Sequence, residues 1–279
     1  GIMRKIFLFF IPAVLALSVL TGCGGYNKIL KASDYGTKYS LAKNLYVEGR
    51  FTTCSSVLEE CVVMLHGTSQ GEESMFLLAS CYFNLADYLS ASQYFQNCFT
   101  RYPNSLYSES SLFMTGKSLF RDMPDPRLDA TSTNNAISAL QRFVETYPQS
   151  QYRAEAEEMI FDMYDRLAEK EKRTAELYYN MGLYMGNNYR ASIIVAQNAL
   201  KDYPYTKYRE DLSALILRAK FQMAQESVIS KKDERYRDAI DEYYAFQNEF
   251  PESKYLREAE RIFRISTRNI NDTEELIED

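Results

Sequence analysis

The sequence has no tryptophan and one histidine, His66, in 279 residues. Lack of tryptophan argues against a Trp-lined sugar platform. A single histidine excludes His-rich metal sites and removes the commonest general acid–base. Excess positive charge is also missing. Lys plus Arg total 32 against 38 Asp plus Glu, a formal −6, which is the wrong sign for a general nucleic-acid binder. No G-x-S-x-G, Walker loop or G-x-G-x-x-G is present, and no C-x-x-C. No stretch alternates apolar and polar for long enough to suggest sheet. What is present is globular: 46% apolar and 25% charged residues, with 23 Tyr and 16 Phe to pack.

The first 22 residues read as an address rather than as fold. Met3-Arg4-Lys5 is a short basic start, with Gly1-Ile2 as upstream residues. Ile6 to Leu20 is apolar apart from Pro12 and Ser18. At roughly 15 residues this run is short of the ~20 that a spanning helix needs. It ends in Leu20-Thr21-Gly22-Cys23, small residues before a cysteine, which resembles the lipobox of bacterial lipoproteins. That resemblance implies cleavage before Cys23 and covalent lipid on Cys23; the alternative is an ordinary secretory signal with an incidental cysteine. Buried acyl methylenes at about 0.8 kcal/mol each make such an anchor nearly permanent. Cleavage would leave 257 residues and a charge of −8. Residues 23–32 would be a lipidated linker. No acidic run follows Gly24-Gly25, so the expected location is the outer membrane, facing the periplasm.

Cys54, Cys61, Cys81 and Cys98 remain. They recur at helical spacing among apolar residues and read as small core residues. One disulfide among them stays open, with no assignable pairing.

A signature of aromatic, Pro, any residue, then Ser or Thr occurs four times: Tyr102 to Ser105, Tyr147 to Ser150, Tyr203 to Thr206 and Phe250 to Ser253. Proline cannot continue a helix and disfavours helix at the residue before it. The Ser or Thr is then expected to cap the next helix. Between joints, apolar residues keep helical period, as in Tyr88, Ala91, Phe95 and Cys98, or Tyr236, Ala239, Tyr243 and Phe246.

Residues 72–105 resemble the 34-residue tetratricopeptide repeat. Met75, Leu78, Ala79, Tyr82, Ala91, Phe95, Cys98 and Pro103 stand at its consensus positions. Leu41, Ala42, Leu45, Gly49, Phe51, Cys54, Leu58 and Cys61 repeat the pattern one unit earlier. Small residues serve where helices approach closely, and large ones fill the grooves. Later copies are stretched, the joint prolines lying 45, 56 and 47 residues apart. Loop 122–133 and an extra helix near 151–170 would absorb the excess. The fold class is therefore all-α, a tetratricopeptide-like α-solenoid of about five helix pairs: 33–68, 72–105, 106–148, 171–205 and 206–251. N-terminal repeats would fill 33–148 and C-terminal repeats 149–265. A terminal helix would follow the last pair, and then an acidic tail within 266–279, running from Asn271 to Asp279. Such arrays present a concave face on which exposed Tyr, Arg and Asn would grip an extended peptide or a partner.

A narrower resemblance lies between Asp129 and Thr206. It is carried by Asp129-Ala-Thr-Ser-Thr-Asn-Asn-Ala-Ile-Ser-Ala-Leu-Gln-Arg-Phe-Val-Glu-Thr-Tyr-Pro-Gln-Ser-Gln-Tyr152, then Glu155-Ala156 and Asp165-Arg166-Leu167-Ala168-Glu169-Lys170-Glu171. Ala175-Glu176-Leu177-Tyr178-Tyr179, Gly182, Tyr184 and Asp202-Tyr203-Pro204-Tyr205-Thr206 complete it. With the lipobox and the length, this is similar to the BamD family of outer-membrane protein assembly lipoproteins. The resemblance implies a non-catalytic scaffold of the β-barrel assembly machinery. Its partners would be a BamA-like outer-membrane barrel, unfolded barrel substrates and other assembly lipoproteins. It implies no cofactor, no metal and no nucleic acid. Residues near 35–105 would line a substrate groove and 171–255 would face the barrel protein, Tyr178 and Tyr179 included. Two positions depart. Met181-Gly182 stands where the family commonly has Arg-Gly, and Ile194-Val195 replaces a common Asn-Arg. Arg190, one turn earlier, is placed to substitute for that lost arginine.

The sequence leaves three other readings. A scaffold for pilus, secretin or cell-wall assembly would share the fold and anchor. A helical nutrient-binding lipoprotein would be longer and Trp-rich. An enzyme would need more than Glu59-Glu60, Glu72-Glu73 and Glu157-Glu158, since adjacent helical residues point about 100° apart.

Overall fold

The computed structural model describes residues 34–125 and 130–278 together with 29 and 31, with side chains described up to 270. The described residues are helical throughout their regular structure, without strands. In chain order the helices are α1 Tyr35–Val47, α2 Phe51–Met64, α3 Ser69–Asn84, α4 Tyr88–Arg101, α5 Ser108–Asp122 and α6 Thr131–Thr146. Then come α7 Arg153–Met181, α8 Asn188–Asp202, α9 Arg209–Gln225, α10 Ile229–Glu249 and α11 Leu256–Glu278. The described residues fall into two compact units, one of 34–124 and 131–157, the other of 125, 130 and 158–278. Within each, helices that are neighbours in sequence pack on each other, and α1 also reaches α3 and α9 reaches α11. Nearest-neighbour packing of helix pairs is the repeat architecture that the sequence implies.

Local chemistry starts several helices. Asp34 accepts from the Gly36 amide (3.1 Å) ahead of α1, Thr68 from Gly71 (3.1 Å) ahead of α3, and Asp87 from Ser90 (3.2 Å) ahead of α4. The turns after α1 and α3 share one backbone path. Arg50 N donates to Leu45 O and Asp87 N to Tyr82 O, across a left-handed residue at φ +73° and +60°. Glycine occupies that position in the first turn, Gly49, but alanine in the second, Ala86.

The four joints are one motif, and the structure corrects the role given to the Ser or Thr. Ser105, Ser150, Thr206 and Ser253 do not cap the following helix. Each hydroxyl instead accepts from the amide two residues on, at Tyr107, Tyr152, Tyr208 and Tyr255 (3.0–3.3 Å). Three of the four also donate to a carboxylate some 40 residues back. The pairs are Ser150 to Glu109, Thr206 to Asp165 and Ser253 to Glu210 (2.5–2.8 Å). The joint is therefore a crosslink between successive repeats as well as a helix break. The fixed tyrosine joins the packing: Tyr107 stacks on Phe76 at 4.8 Å and Tyr152 on Phe113 at 4.7 Å.

The first unit buries Leu45, Leu58, Met75, Leu78 and Phe95, with Leu112, Leu140 and Phe143 beyond. Cys54, Cys61, Cys81 and Cys98 sit in this core as free, buried thiols. Burial pushes the Cys61 thiol up to about 11. The second unit buries Ala196, Leu212, Leu215 and Ala219 in one cluster and Tyr236, Tyr243, Phe246 and Ile262 in another.

A separate helix over 151–170 does not exist. Residues 153–181 form one 29-residue helix. No Gly or Pro interrupts it, and Asp162–Arg166, Glu169–Arg173 and Lys172–Glu176 are ion-paired at i,i+4 along its surface. Residues 266–278, expected as a tail, continue α11 instead.

Candidate interaction surfaces

In the first unit α4 presents Gln93, Gln96 and Asn97 toward a groove. Gln93 and Asn97 line both of its lobes, of about 340 and 590 Å³. Leu78 and Leu112 lie in its floor, and Arg101 and Arg142 at its sides. The Arg142 guanidinium is set over the Phe99 ring at 5.2 Å. A carboxamide offers a donor and an acceptor together, the complement of a peptide unit. A row of them above apolar residues suits an extended chain whose side chains vary. This groove runs from α2 through α6, beyond the 35–105 expected for a substrate groove. Its polar lining combines amides and guanidinium groups with Glu59 and Tyr94, whose ring stacks on Tyr82 at 5.3 Å.

In the second unit, the turn between α7 and α8 gathers the residues expected to meet a partner. Tyr179 is half-buried and packs edge-on against Tyr189, with ring centroids 5.7 Å apart. Burial raises the pKa of its hydroxyl. Gly182 follows at φ +55°, and a Cβ there would lie 3.0 Å from the Tyr189 hydroxyl, so a larger residue would push that ring by a few tenths of an ångström. Asn187 caps α8 by accepting from Arg190 N (3.2 Å), and the buried Ser192 hydroxyl ties α8 to Ala175 O of α7 (2.7 Å). Arg190 is exposed, while Tyr178 is half-buried. Tyr179 is thus a packing residue beneath the surface, and Arg190 is on it.

Apolar side chains dominate this elbow. Leu177, Met181, Leu183, Tyr184, Met185 and Ile194 are all exposed, Met185 at 88% and Ile194 at 47%. Leu177 and Met181 are one helical turn apart on α7, as Arg190 and Ile194 are on α8. Val195, the other departing position, packs into the core. Sequence reasoning noted the loss of Asn-Arg but not the apolar patch; Leu183-Tyr184-Met185 between two glycines was the available signal. A second cleft of about 440 Å³ lies between α7 and the third joint, beside the exposed Phe161 and Tyr205.

The carboxylate pairs are engaged structurally. Glu59 accepts from the Tyr82 hydroxyl (2.6 Å), Glu60 pairs with Lys38 (2.5 Å) and Glu157 with Arg153 (2.8 Å). Glu73 accepts from Tyr39 and pairs with Lys43 (2.9 Å). Partial burial pushes the Glu73 carboxyl up, but those two partners hold it below its ordinary value. His66 is exposed in the turn before α3, near the Tyr102 ring at 6.2 Å. Among the described residues no three His, Cys, Asp or Glu are grouped to hold a metal, and no helix is long and apolar enough to cross a membrane. Cys23 and the segment before it lie outside the described residues.

Comparison with known proteins adds a family. Over 218 residues the chain is 26% identical to the outer membrane protein assembly factor BamD of Haemophilus influenzae, covering 74% of this chain and 79% of that one. Two solved structures of nearly identical TPR-like repeats of a Podosopora anserina kinesin light chain align with 78% and 80% of this chain. They cover 96% and 100% of their own lengths, at 12% and 11% identity and TM-scores of 0.32 and 0.33, too low to carry an argument. The family described as YfiO, outer membrane lipoprotein, matches residues 32–217, two thirds of the sequence. The chain is therefore a member of the YfiO family of outer membrane lipoproteins.

Proposed function

We propose that this chain is a non-catalytic lipoprotein scaffold of the β-barrel assembly machinery, lipid-anchored through Cys23 in the outer membrane and facing the periplasm. The groove in the first unit carries the reading. Its amide-lined, apolar-floored shape accepts an extended segment of an unfolded outer-membrane protein without requiring one sequence. Barrel strands in transit expose edges that aggregate unless held. The elbow from Leu177 to Ile194 supplies a second surface, for the periplasmic part of a BamA-like barrel, with Arg190 as its polar contact. Membership of the YfiO family and the likeness to a named assembly factor support both assignments. The N-terminal repeats, 33–148, and the C-terminal repeats, 149–265, divide the two tasks.

Affinity purification of the tagged protein from detergent-solubilised envelopes, followed by mass spectrometry, tests this. Stoichiometric recovery of a BamA-like barrel is expected, with recovery falling severalfold for Arg190→Glu and for Ile194→Glu. A photo-crosslinker at Gln93 or Asn97 should capture barrel precursors. Recovery of a secretin or of cell-wall enzymes instead, with no precursor crosslinked, would overturn the proposal.

A further inference from the structure

Helix α11 begins at Leu256, beyond the residues that the family match covers. Its inward face is set by Ala259, Ile262, Ser266 and Ile270, all buried. Both flanks are occupied. On one, Glu258 receives both arms of Arg218 from α9, at 2.8 and 2.5 Å. On the other, Phe263 stacks on Tyr243 of α10 at 4.7 Å and meets the Tyr244 ring edge-on at 5.5 Å.

The face left over carries Arg257, Arg261, Arg264 and Arg268, all exposed. Their spacing of four, three and four confines them to a stripe roughly 60° wide, opposite the buried face, at about 100° per residue. None of the four forms an ion pair or hydrogen bond with a described residue. The carboxylate on their flank, Glu258, is paired with Arg218 and feels Arg261 only through its field; Glu260, at the other edge, is exposed.

A solubilising cap on a repeat array would carry mixed charge. In α11 the two signs are largely segregated rather than interspersed: the four arginines occupy its first turns and the acidic residues 272, 274, 275 and 278 follow, although like charges one turn apart weaken a helix. All four are arginine, whose planar fork binds carboxylates two bonds at a time. A lipid-surface helix would add exposed apolar side chains to enter the headgroups. No exposed large apolar residue lies between 245 and 270.

We propose that the arginine stripe of α11 is a docking surface for a carboxylate-rich face of a second polypeptide. The full chain and its Arg257→Gln/Arg261→Gln/Arg264→Gln/Arg268→Gln variant would be titrated into a fluorescent helical peptide with glutamates four residues apart. Phosphatidylglycerol vesicles form a parallel arm, and sedimentation measures self-association. Wild type should bind the peptide at least tenfold more tightly than the variant, and more weakly at 300 mM than at 50 mM NaCl. Vesicle binding and sedimentation should not change. If the fourfold variant loses its helical circular dichroism, Arg261→Gln/Arg264→Gln serves in its place, with a loss of at least threefold expected. Equal peptide affinity in variant and wild type, arginine-dependent binding to vesicles, or arginine-dependent dimerisation would each overturn the proposal.

Discussion

Gly116 in the middle of α5 sets two effects against each other. Alanine in its place should gain about 1 kcal/mol in helix propensity. A Cβ there would stand 2.5 Å from Leu140 Cδ2, 2.6 Å from Cγ and 3.2 Å from the Leu140 backbone nitrogen. Ordinary carbon contacts are about 3.5–4.0 Å, so the neighbour would have to retreat by about 1 Å. Leu140 is fully buried in α6, and its γ-carbon and backbone are both in the way, so no rotamer change relieves the contact. Overpacking of this kind costs roughly 1–3 kcal/mol, and its upper end applies because helix α6 itself must shift. The net expectation for Gly116→Ala is a loss of about 1–2 kcal/mol. Leu140→Ala alone should cost about 2–5 kcal/mol through its cavity. In the double variant the clash is gone and the new methyl fills part of that cavity, so the two losses should fail to add by at least about 1 kcal/mol. Urea unfolding followed by far-ultraviolet circular dichroism gives all four corners of the cycle. Additive losses, or a Gly116→Ala chain as stable as wild type, would show that close approach of α5 and α6 is not why glycine is there.

Two further outcomes follow from local geometry. Ala86 holds a left-handed conformation at φ +60° in the turn where the preceding repeat has Gly49, so Ala86→Gly should stabilise by about 0.5–1 kcal/mol in urea melts; destabilisation would mean that the Ala86 methyl matters more than its backbone strain. Hydrogen bonds from Arg218 hold the Glu258 carboxyl below its ordinary range despite partial burial. A depressed folded pKa gives stability that is full above the unfolded value, about 4.3, and is lost as pH falls through the folded value. Arg218→Gln should therefore cost about 1 kcal/mol, screened by solvent, at pH 7, and progressively less below about pH 4. Equal losses at pH 7 and pH 3 would remove the ion pair as the cause.

The helices and their joints were legible because each joint is local. An aromatic residue, a proline and a hydroxyl within four positions stop one helix and shape the next turn. What the hydroxyl does was not legible, because its acceptor is some 40 residues away, as with Ser150 and Glu109. The tyrosine two places on, present at every joint, was visible in the sequence yet has no meaning until Tyr152 is seen on Phe113. Continuity of α7 was hidden for the opposite reason. A five-pair repeat scheme imposed a boundary near 170 that no breaker residue supports. At the elbow, Ile194 read only as half of a missing Asn-Arg pair; its exposure beside Leu183 and Met185 depends on how two helices meet.

Surface chemistry separates the three candidate faces by their response to salt. Contacts in the groove would be mainly amide to peptide, with Arg101, Arg142 and Glu59 adding a modest dependence on ionic strength. Apolar contacts at the elbow gain when salt is excluded from the surface, as sulfate is, so binding there should survive a concentrated wash. Binding at the arginine stripe works across exposed charges, and a Debye length of about 8 Å at 0.15 M already screens it. In the resemblance the family's Asn-Arg falls on Ile194-Val195, so the arginine position is Val195, packed against the core, and the exposed residue is Ile194. The contact proposed at the elbow is therefore expected to resist salt, and the one proposed on α11 to weaken with it.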